Sequence, residues 1–355
     1  MKKKIALITG VTGQDGSYLS EFLLNKGYKV FGLKRRSSSY NTERVDRILE
    51  ENKNFKLVFG DLSDSSNLNS IISEILPDEI YNLGAQSHVA VSFKIPEYTS
   101  DINALGALRI LETVKNLRKK KNIKLYQAST SELFGNTTKF PQNENTPFYP
   151  RSPYACAKLF AYWITINYRE AYNIFASNGI LFNHESPRRG ETFITRKISI
   201  GLSKIFYGLE KCLYVGNIYA KRDWGDAEEY ASMQWKILQQ SKPSDYIIAT
   251  GKQYTVKKFI ELTCLYLGVK ISWKGRGLKE VGFVKEILSK HKETKIKKNQ
   301  VIIRIDSRYF RPTEVDNLIG DISKTQKELK WKSKLTINDL VKKMMDYDLK
   351  KFRSK

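Results

Sequence analysis

Cysteine is scarce in this chain of 355 residues: Cys156, Cys212 and Cys264 stand far apart with no CxxC pair. That excludes a disulfide framework and a zinc knuckle, and makes a reducing cytoplasm the expected compartment. Histidine is as rare, and His88, His184 and His291 do not cluster, so no metal site is expected. His88 reads as structural and His291 as exposed. No run of about 18 apolar residues occurs, and the apolar stretch in MKKKIALITG is too short for a signal peptide. Neither a membrane span nor export is expected. Acidic residues are the minority, 37 against 61 lysines and arginines, for a net charge of +24. The excess lysines are scattered as KK and KKK clusters without a nucleic-acid-binding motif, and are read as a general basic surface rather than a nucleic-acid footprint. No low-complexity tract or internal repeat is present.

What remains is a globular composition, 41% hydrophobic, with a clear rhythm. From the N-terminus KIALITG, SYLSEFLLNKG, YKVFGLKRR, FKLVFGDL, LNSIISEIL and EIYNLGA alternate strand-like and helix-like character, the pattern of βαβ units and a parallel sheet. A further helix is expected over Ala104 to Arg118, a strand at KLYQAS, a long helix from Tyr154 to Tyr172, and a strand at NIFASNGILF. Past Phe182 the pattern shifts to loops and shorter helices, with IIATG and VIIRID as later strands and LTINDLVKKMMDYDL as a closing amphipathic helix. The expected fold is α/β: a Rossmann-type doubly wound parallel sheet over residues 1–182 that binds NADP. A smaller, mainly C-terminal α/β lobe over 183–355 binds substrate, with some later segments returning to the first. The lysine-rich stretch 285–298 reads as a solvated loop or frayed helix.

Between the first strand and helix stands GVTGQDG. Gly10, Gly13 and Gly16 place one glycine at the turn, one where backbone nears a pyrophosphate and one where helix meets strand, as dinucleotide binding requires. Near Gly32 or Leu33, where an NAD enzyme often carries a carboxylate, the chain has Lys34-Arg35-Arg36-Ser37-Ser38. Cations and hydroxyls there suit a 2′-phosphate, so NADP is favoured over NAD. Asp61 and Leu62 end the third strand, in reach of an adenine amino group.

Tyr154 and Lys158 form YxxxK and share one helix face. A neighbouring ammonium favours phenolate and makes the tyrosine a base toward a sugar hydroxyl. With the glycine loop upstream and Ser129-Thr130 at a strand end, these residues resemble extended short-chain dehydrogenase/reductases acting on nucleotide sugars. The segments TGVTGQDGSYL, KRRSSSYNTERVD, YNLGAQSHVAVSF, QASTSELFG, PFYPRSPYACAKLFAYWITINYREAY, NGILFNHESPRRGETFITRKI, AKRDWG and YFRPTEVD narrow this further: they resemble the GDP-mannose 4,6-dehydratases.

That resemblance implies a hydro-lyase on a GDP-sugar. Tyr154 would take the O4 proton, Lys158 would lower the tyrosine pKa and hold the nicotinamide ribose, and Thr130 would hydrogen-bond O4. Glu132 would remove the C5 proton and protonate the departing C6 hydroxyl. It also implies cofactor contacts at Gly10, Val11, Thr12, Gly13, Gln14, Asp15, Arg35, Arg36, Ser37, Ser38, Asp61 and Leu62. Further ones fall at Leu83, Gly84, Ala85, Gln86, Ser87, Tyr98, Lys158, His184 and Arg189. Asn183, Lys197, Arg222, Arg311 and Glu314 are substrate contacts by the same reading, with Asp223 available to orient the Arg222 fork. The RRSSSYNTERVD loop implies a homotetramer built as a dimer of dimers. The chain departs from the family at Ile218, Tyr219 and Asp226, where leucine, aspartate and histidine are common. Because these flank the implied diphosphate clamp, the sugar stays open: GDP-mannose ranks ahead of GDP-manno-heptose. An epimerase or reductase, and a non-catalytic nucleotide- or RNA-binding protein, are the remaining alternatives.

Overall fold

The computed structural model describes residues 3–288 and 293–353. Short apolar runs become strands β1 (Ile5–Thr9), β2 (Lys29–Lys34), β3 (Phe55–Phe59), β4 (Glu79–Asn82), β5 (Lys124–Thr130) and β6 (Ala176–Leu181). After β6 come β7 (Asn183–Glu185), β8 (Leu213–Val215), β9 (Trp224–Asp226) and β10 (Tyr246–Ile248). The last are β11 (Val269–Lys274), β12 (Val281–Ile287) and β13 (Val301–Ile305). The order β10-β6-β5-β4-β1-β2-β3 forms a seven-stranded sheet, parallel throughout. Its direction of winding reverses between β1 and β4, and such a switch point opens a crevice at the carboxyl ends of the strands. β1, β4 and β6 are buried almost end to end, as expected of strands covered on both faces by helices.

The principal helices are α1 (Gln14–Asn25), α2 (Ser65–Ile75), α3 (Gly106–Leu117), α4 (Pro153–Tyr172), α5 (Ile194–Phe206), α6 (Ala227–Leu238), α7 (Val256–Tyr266) and α8 (Ile337–Phe352). α1 and α6 cover one face of the sheet through Leu19, Leu23, Ala231 and Ile237. α2 and α3 cover the other through Leu68, Ile72, Ile110 and Val114. In α4, Ser152 accepts from the Ala155 amide, Pro153 occupies the first turn, and Asn173 closes the helix at φ 52°; all three choices follow from which groups a helix end leaves unpaired. The expected helix beginning at Ala104 instead opens with a π-turn over Asp101–Leu105. That turn presents Asn103, whose side chain accepts from the Gln86 amide and donates to its carbonyl, both at 2.9 Å.

The second lobe carries the sheet β11-β12-β13-β8. Its core packs Leu202, Phe259, Ile303 and Met344 from α5, α7, β13 and α8. The stretch 285–298 departs from expectation at its start: residues 285–287 complete β12, paired with β11 at Val269↔Ile287. His291 lies outside the described residues. No helix among the described residues is long and apolar enough to cross a membrane.

Candidate active site

A cavity of about 390 Å³ opens at the carboxyl ends of β1, β4, β5 and β6. Its floor is the glycine loop. Gly10 adopts φ +66°, and a Cβ there would meet the Gly84 backbone at 2.8 Å; one on Gly16 would come within 2.5 Å of the Gly10 carbonyl oxygen. Only glycine allows the turn and the close helix–strand approach. Gly13, the N-cap of α1, offers no side chain to the first amides, so those N–H groups face the cavity as an anion-binding end. Thr12, Gln14, Asp15, Leu83, Ala85 and Ser87 join this wall, whereas the Val11 side chain turns into the core against Gly32.

The opposite wall comes from the end of β5 and the start of α4. Thr130 Oγ1 accepts from the Glu132 amide at 3.2 Å and is also bonded to the Tyr154 hydroxyl. Lys158, one turn after Tyr154, donates to the Ala128 carbonyl at 2.9 Å. The expected acidification of Tyr154 by that ammonium is not what this geometry produces. Burial drives the phenol up to about 12, with the Thr130 bond opposing and the Glu132 charge assisting. Burial also brings Lys158 down to about 8. Ser129 Oγ and Asn183 Oδ1, on the same cavity wall, are buried without a partner. Orphaned polar atoms beside a glycine cradle suit a bound group rich in hydroxyl and amide functions.

His184 reaches the glycine loop from β7, which pairs with β9; its Nε2 lies 2.8 Å from Asp15 Oδ2. Arg189 stacks on Phe193 at 3.9 Å from ring centroid to guanidinium carbon. The expected clamp residues lie beyond the cavity wall but meet it through Glu132: Arg311 Nη1 stands 3.6 Å from Glu132 Oε1 and 3.9 Å from Glu314 Oε1. Glu314 also accepts from Arg222 Nη2 at 3.3 Å. Arg222 is therefore oriented by Glu314, not by Asp223. The Asp223 carboxylate is committed to the amides of Thr250 and Gly251, each at 2.9 Å, and to the Thr250 hydroxyl at 2.6 Å. Lys197 Nζ has no hydrogen-bond partner and sits 3.0 Å above the Tyr309 ring; burial lowers its pKa to about 8.

The residues expected near an adenosine end are set at the tips of β2 and β3, outside the cavity wall. Arg35 donates to the Tyr98 hydroxyl at 2.8 Å, and Arg36 to the Ser37 carbonyl at 2.7 Å, with Ser38 in the same exposed loop. Asp61 accepts from Ser63, Leu62 packs beneath Gly84 and Gly106, and Gln86 is held by Asn103. Sequence reading missed Arg44 and Arg188, which line the cavity. Arg44 donates to the Arg188 carbonyl at 2.8 Å and to the Thr12 carbonyl at 3.4 Å; a contact spanning so much sequence leaves no local spacing signal. The departures from the family pattern face elsewhere. Ile218 is in the second core, the Tyr219 hydroxyl meets both Glu280 oxygens at 2.8 and 2.9 Å, and Asp226 caps α6. Among the described residues no group of three histidine, cysteine or acidic side chains is placed to hold a metal.

The fold is shared with a UDP-glucuronic acid 4-epimerase from Bacillus cereus, 20% identical with a TM-score of 0.79 over 98% of this chain and 100% of that one. It is shared also with a dTDP-glucose 4,6-dehydratase from Bacillus anthracis, 21% identical, TM-score 0.77, over 99% and 98%. Sequence relatives are far nearer. The GDP-mannose 4,6-dehydratase of Vibrio cholerae is 57% identical with 100% of this chain and 96% of that protein covered; the human enzyme of that name is 50% identical over 99% and 93%. The family model described as GDP-mannose 4,6 dehydratase matches residues 7–344, and with relatives this similar along nearly the whole length, the chain belongs to the GDP-mannose 4,6-dehydratase family.

Proposed function

We propose that this cavity converts GDP-D-mannose to GDP-4-keto-6-deoxy-D-mannose and water, a hydro-lyase reaction, with NADP held along the glycine loop. The observation that carries the reading is Glu132. A carboxylate beside Thr130 and Tyr154, in the same cavity as the glycine loop, is what a dehydration needs and a simple oxidation or 4-epimerisation does not. NADP bound there supplies a hydride acceptor for C4 and a donor for C6, so no cofactor is consumed.

The chain's own groups do the proton work. Tyr154, acting as its phenolate rather than as the neutral phenol that burial favours, takes the O4 proton while Thr130, bonded to its oxygen, holds O4 in line. Oxidation at C4 makes the C5 hydrogen acidic; Glu132 removes it and delivers it to the C6 hydroxyl, which leaves as water. The O4 proton kept at Tyr154 balances the one that C5 regains. Lys158 holds the nicotinamide ribose. Arg222 and Arg311, lined up by Glu314, grip the diphosphate with Lys197 nearby.

NADP rather than NAD is supported by Lys34, Arg35 and Arg36 at the end of β2, with no carboxylate between Lys34 and Thr42. GDP-mannose rather than the heptose is supported by Ile218, Tyr219 and Asp226 all pointing away from the cavity. A homotetramer is supported by the exposed apolar side chains Ile95, Tyr98, Leu105, Phe160 and Trp163, a band we assign to contact with another copy. Incubation with GDP-mannose or GDP-manno-heptose, read by mass spectrometry, tests the reaction. Loss of one water from the mannose compound is expected; no loss from either sugar overturns the reading. Glu132→Gln should still bind NADP and GDP yet form no product.

A further inference from the structure

Both ring nitrogens of His184 face acceptors. Nδ1 lies 2.7 Å from the Phe182 carbonyl oxygen and Nε2 2.8 Å from Asp15 Oδ2. Neither a carbonyl nor a carboxylate oxygen can donate, so each nitrogen carries a proton and the ring is an imidazolium. With both N–H groups spent, His184 has no donor left for a molecule in the cavity it lines.

Three elements converge on the pair. Asp15, in the first turn of α1, also accepts from Gln14 at 3.2 Å and from Gln234 of α6 at 3.1 Å. The imidazolium face stacks on Tyr230 of α6, with ring centroids 4.9 Å apart and 26° between planes. Gln14 returns to β7 by donating to the His184 carbonyl at 3.1 Å.

We propose that Asp15 is a positioning residue: it holds His184 as a charged strut that fixes the distance between the glycine loop and β7, and the His184 ring donates no hydrogen bond to the cofactor. The consequence for ligand binding rests on the reading that a dinucleotide occupies this cavity. The strut itself does not.

Lys158 of α4 and Arg189 after β7 are the other charges facing the pair; Tyr154 and Tyr126 face it as neutral phenols. Burial is the largest single influence and opposes both charges, but the pair's mutual attraction, with Gln14 and Arg189 helping Asp15 and the Phe182 carbonyl helping His184, leaves the Asp15 carboxyl below and the His184 ring above their ordinary values. The charged pair therefore holds over a wider pH range than either group would keep its charge alone. It is lost as pH falls through the lowered carboxyl pKa or rises through the raised imidazole pKa.

Ring nitrogen NMR on protein labelled at its three histidines reads this directly, with His184→Gln identifying the signal. Near neutral pH His184 should show two protonated nitrogens, and in Asp15→Asn a neutral ring. A neutral ring in the unmodified protein, or an unchanged one in Asp15→Asn, overturns the proposal. Retention of NADPH gives the second readout. His184→Gln leaves the Asp15 carboxylate uncompensated beneath the phosphates and should weaken binding roughly tenfold or more. Adding Asp15→Asn should restore most of that loss, because the pair and its double replacement carry the same net charge. A double variant no better than His184→Gln overturns the strut. Should the unmodified protein bind no NADPH, the dinucleotide reading fails, and the labelled ring still decides on the strut.

Discussion

Tyr154 and Lys158 sit one turn apart on α4, and burial moves their proton affinities in opposite directions, to about 12 and about 8. Each shift favours the neutral form, so the cofactor-free site costs stability while Lys158 is charged. Between about 8 and the ordinary lysine value of 10.5 the unfolded chain holds a proton that the folded one has released, so stability should rise with pH across that window. Lys197 acts in the same direction, and Tyr154 reverses the trend above 10, where the unfolded phenol ionises first. Urea midpoints of cofactor-free protein should climb from about pH 7 to about pH 9.5. Lys158→Met should flatten its share of that climb; an identical slope would remove Lys158 as a cause. At this scale the sequence was legible where chemistry depends on neighbours along the chain: the i, i+4 spacing of Tyr154 and Lys158, and Thr130 with Glu132 at one strand end. It was not legible where partners arrive from far away. Nothing in AKRDWG reveals that Asp223 serves the Thr250–Gly251 turn while Glu314 aligns Arg222.

Asp226 shows how a departure at a motif's edge can be absorbed by an element rather than by the site. Its Oδ1 accepts from the amides of Glu228 and Glu229, and its Oδ2 from Lys343 of α8 at 2.8 Å. It thus caps α6 and ties it to the closing helix. Replacing it with the histidine common in relatives should weaken the cap by about 1 kcal/mol, seen as a lower urea midpoint. The relative turnover of GDP-mannose and GDP-manno-heptose should not move; a changed preference would bring Asp226 back to the site. α4 and α8 were legible because apolar periodicity is local, and their caps agree, Ser152 and Pro153 opening α4 and Thr336 with Asp339 forming a capping box on α8; α5, α6 and α7 were legible only as shorter helices past Phe182. β12, like β11, was not legible as a strand. Only Gly282 and Val284 alternate inward, and the exposed Lys285 and Glu286 blend into the charged stretch that follows. The π-turn at Asp101–Leu105 answers to a tertiary demand, the clamping of Gln86 by Asn103, that no periodicity encodes.

For the molecule as a whole, a basic surface with +24 net charge keeps copies apart at long range, so association depends on apolar contact at close range. Trp163, 55% exposed on α4, lies on the band proposed to meet another copy. Trp163→Glu should lower the mass seen by light scattering, with helical content unchanged by circular dichroism; an unaltered mass would move the interface elsewhere. The sheet order was legible in outline from strand–helix alternation, and IIATG reads as a strand, but the place of that strand in the sheet was out of reach. β10 is three residues long and lies far beyond β6 in the chain, yet it pairs in parallel with Gly179, Ile180 and Leu181. The chain leaves the sheet at Leu181, builds β7, α5 and α6, and only then seals the edge it left. A fragment cut at residue 182 would carry β6 as a bare edge of unpaired amides and carbonyls, and would recruit a neighbour's strand in place of β10. Dividing this protein for expression, or joining its halves as a split reporter, therefore calls for a break after Ile248 rather than where the sequence pattern changes.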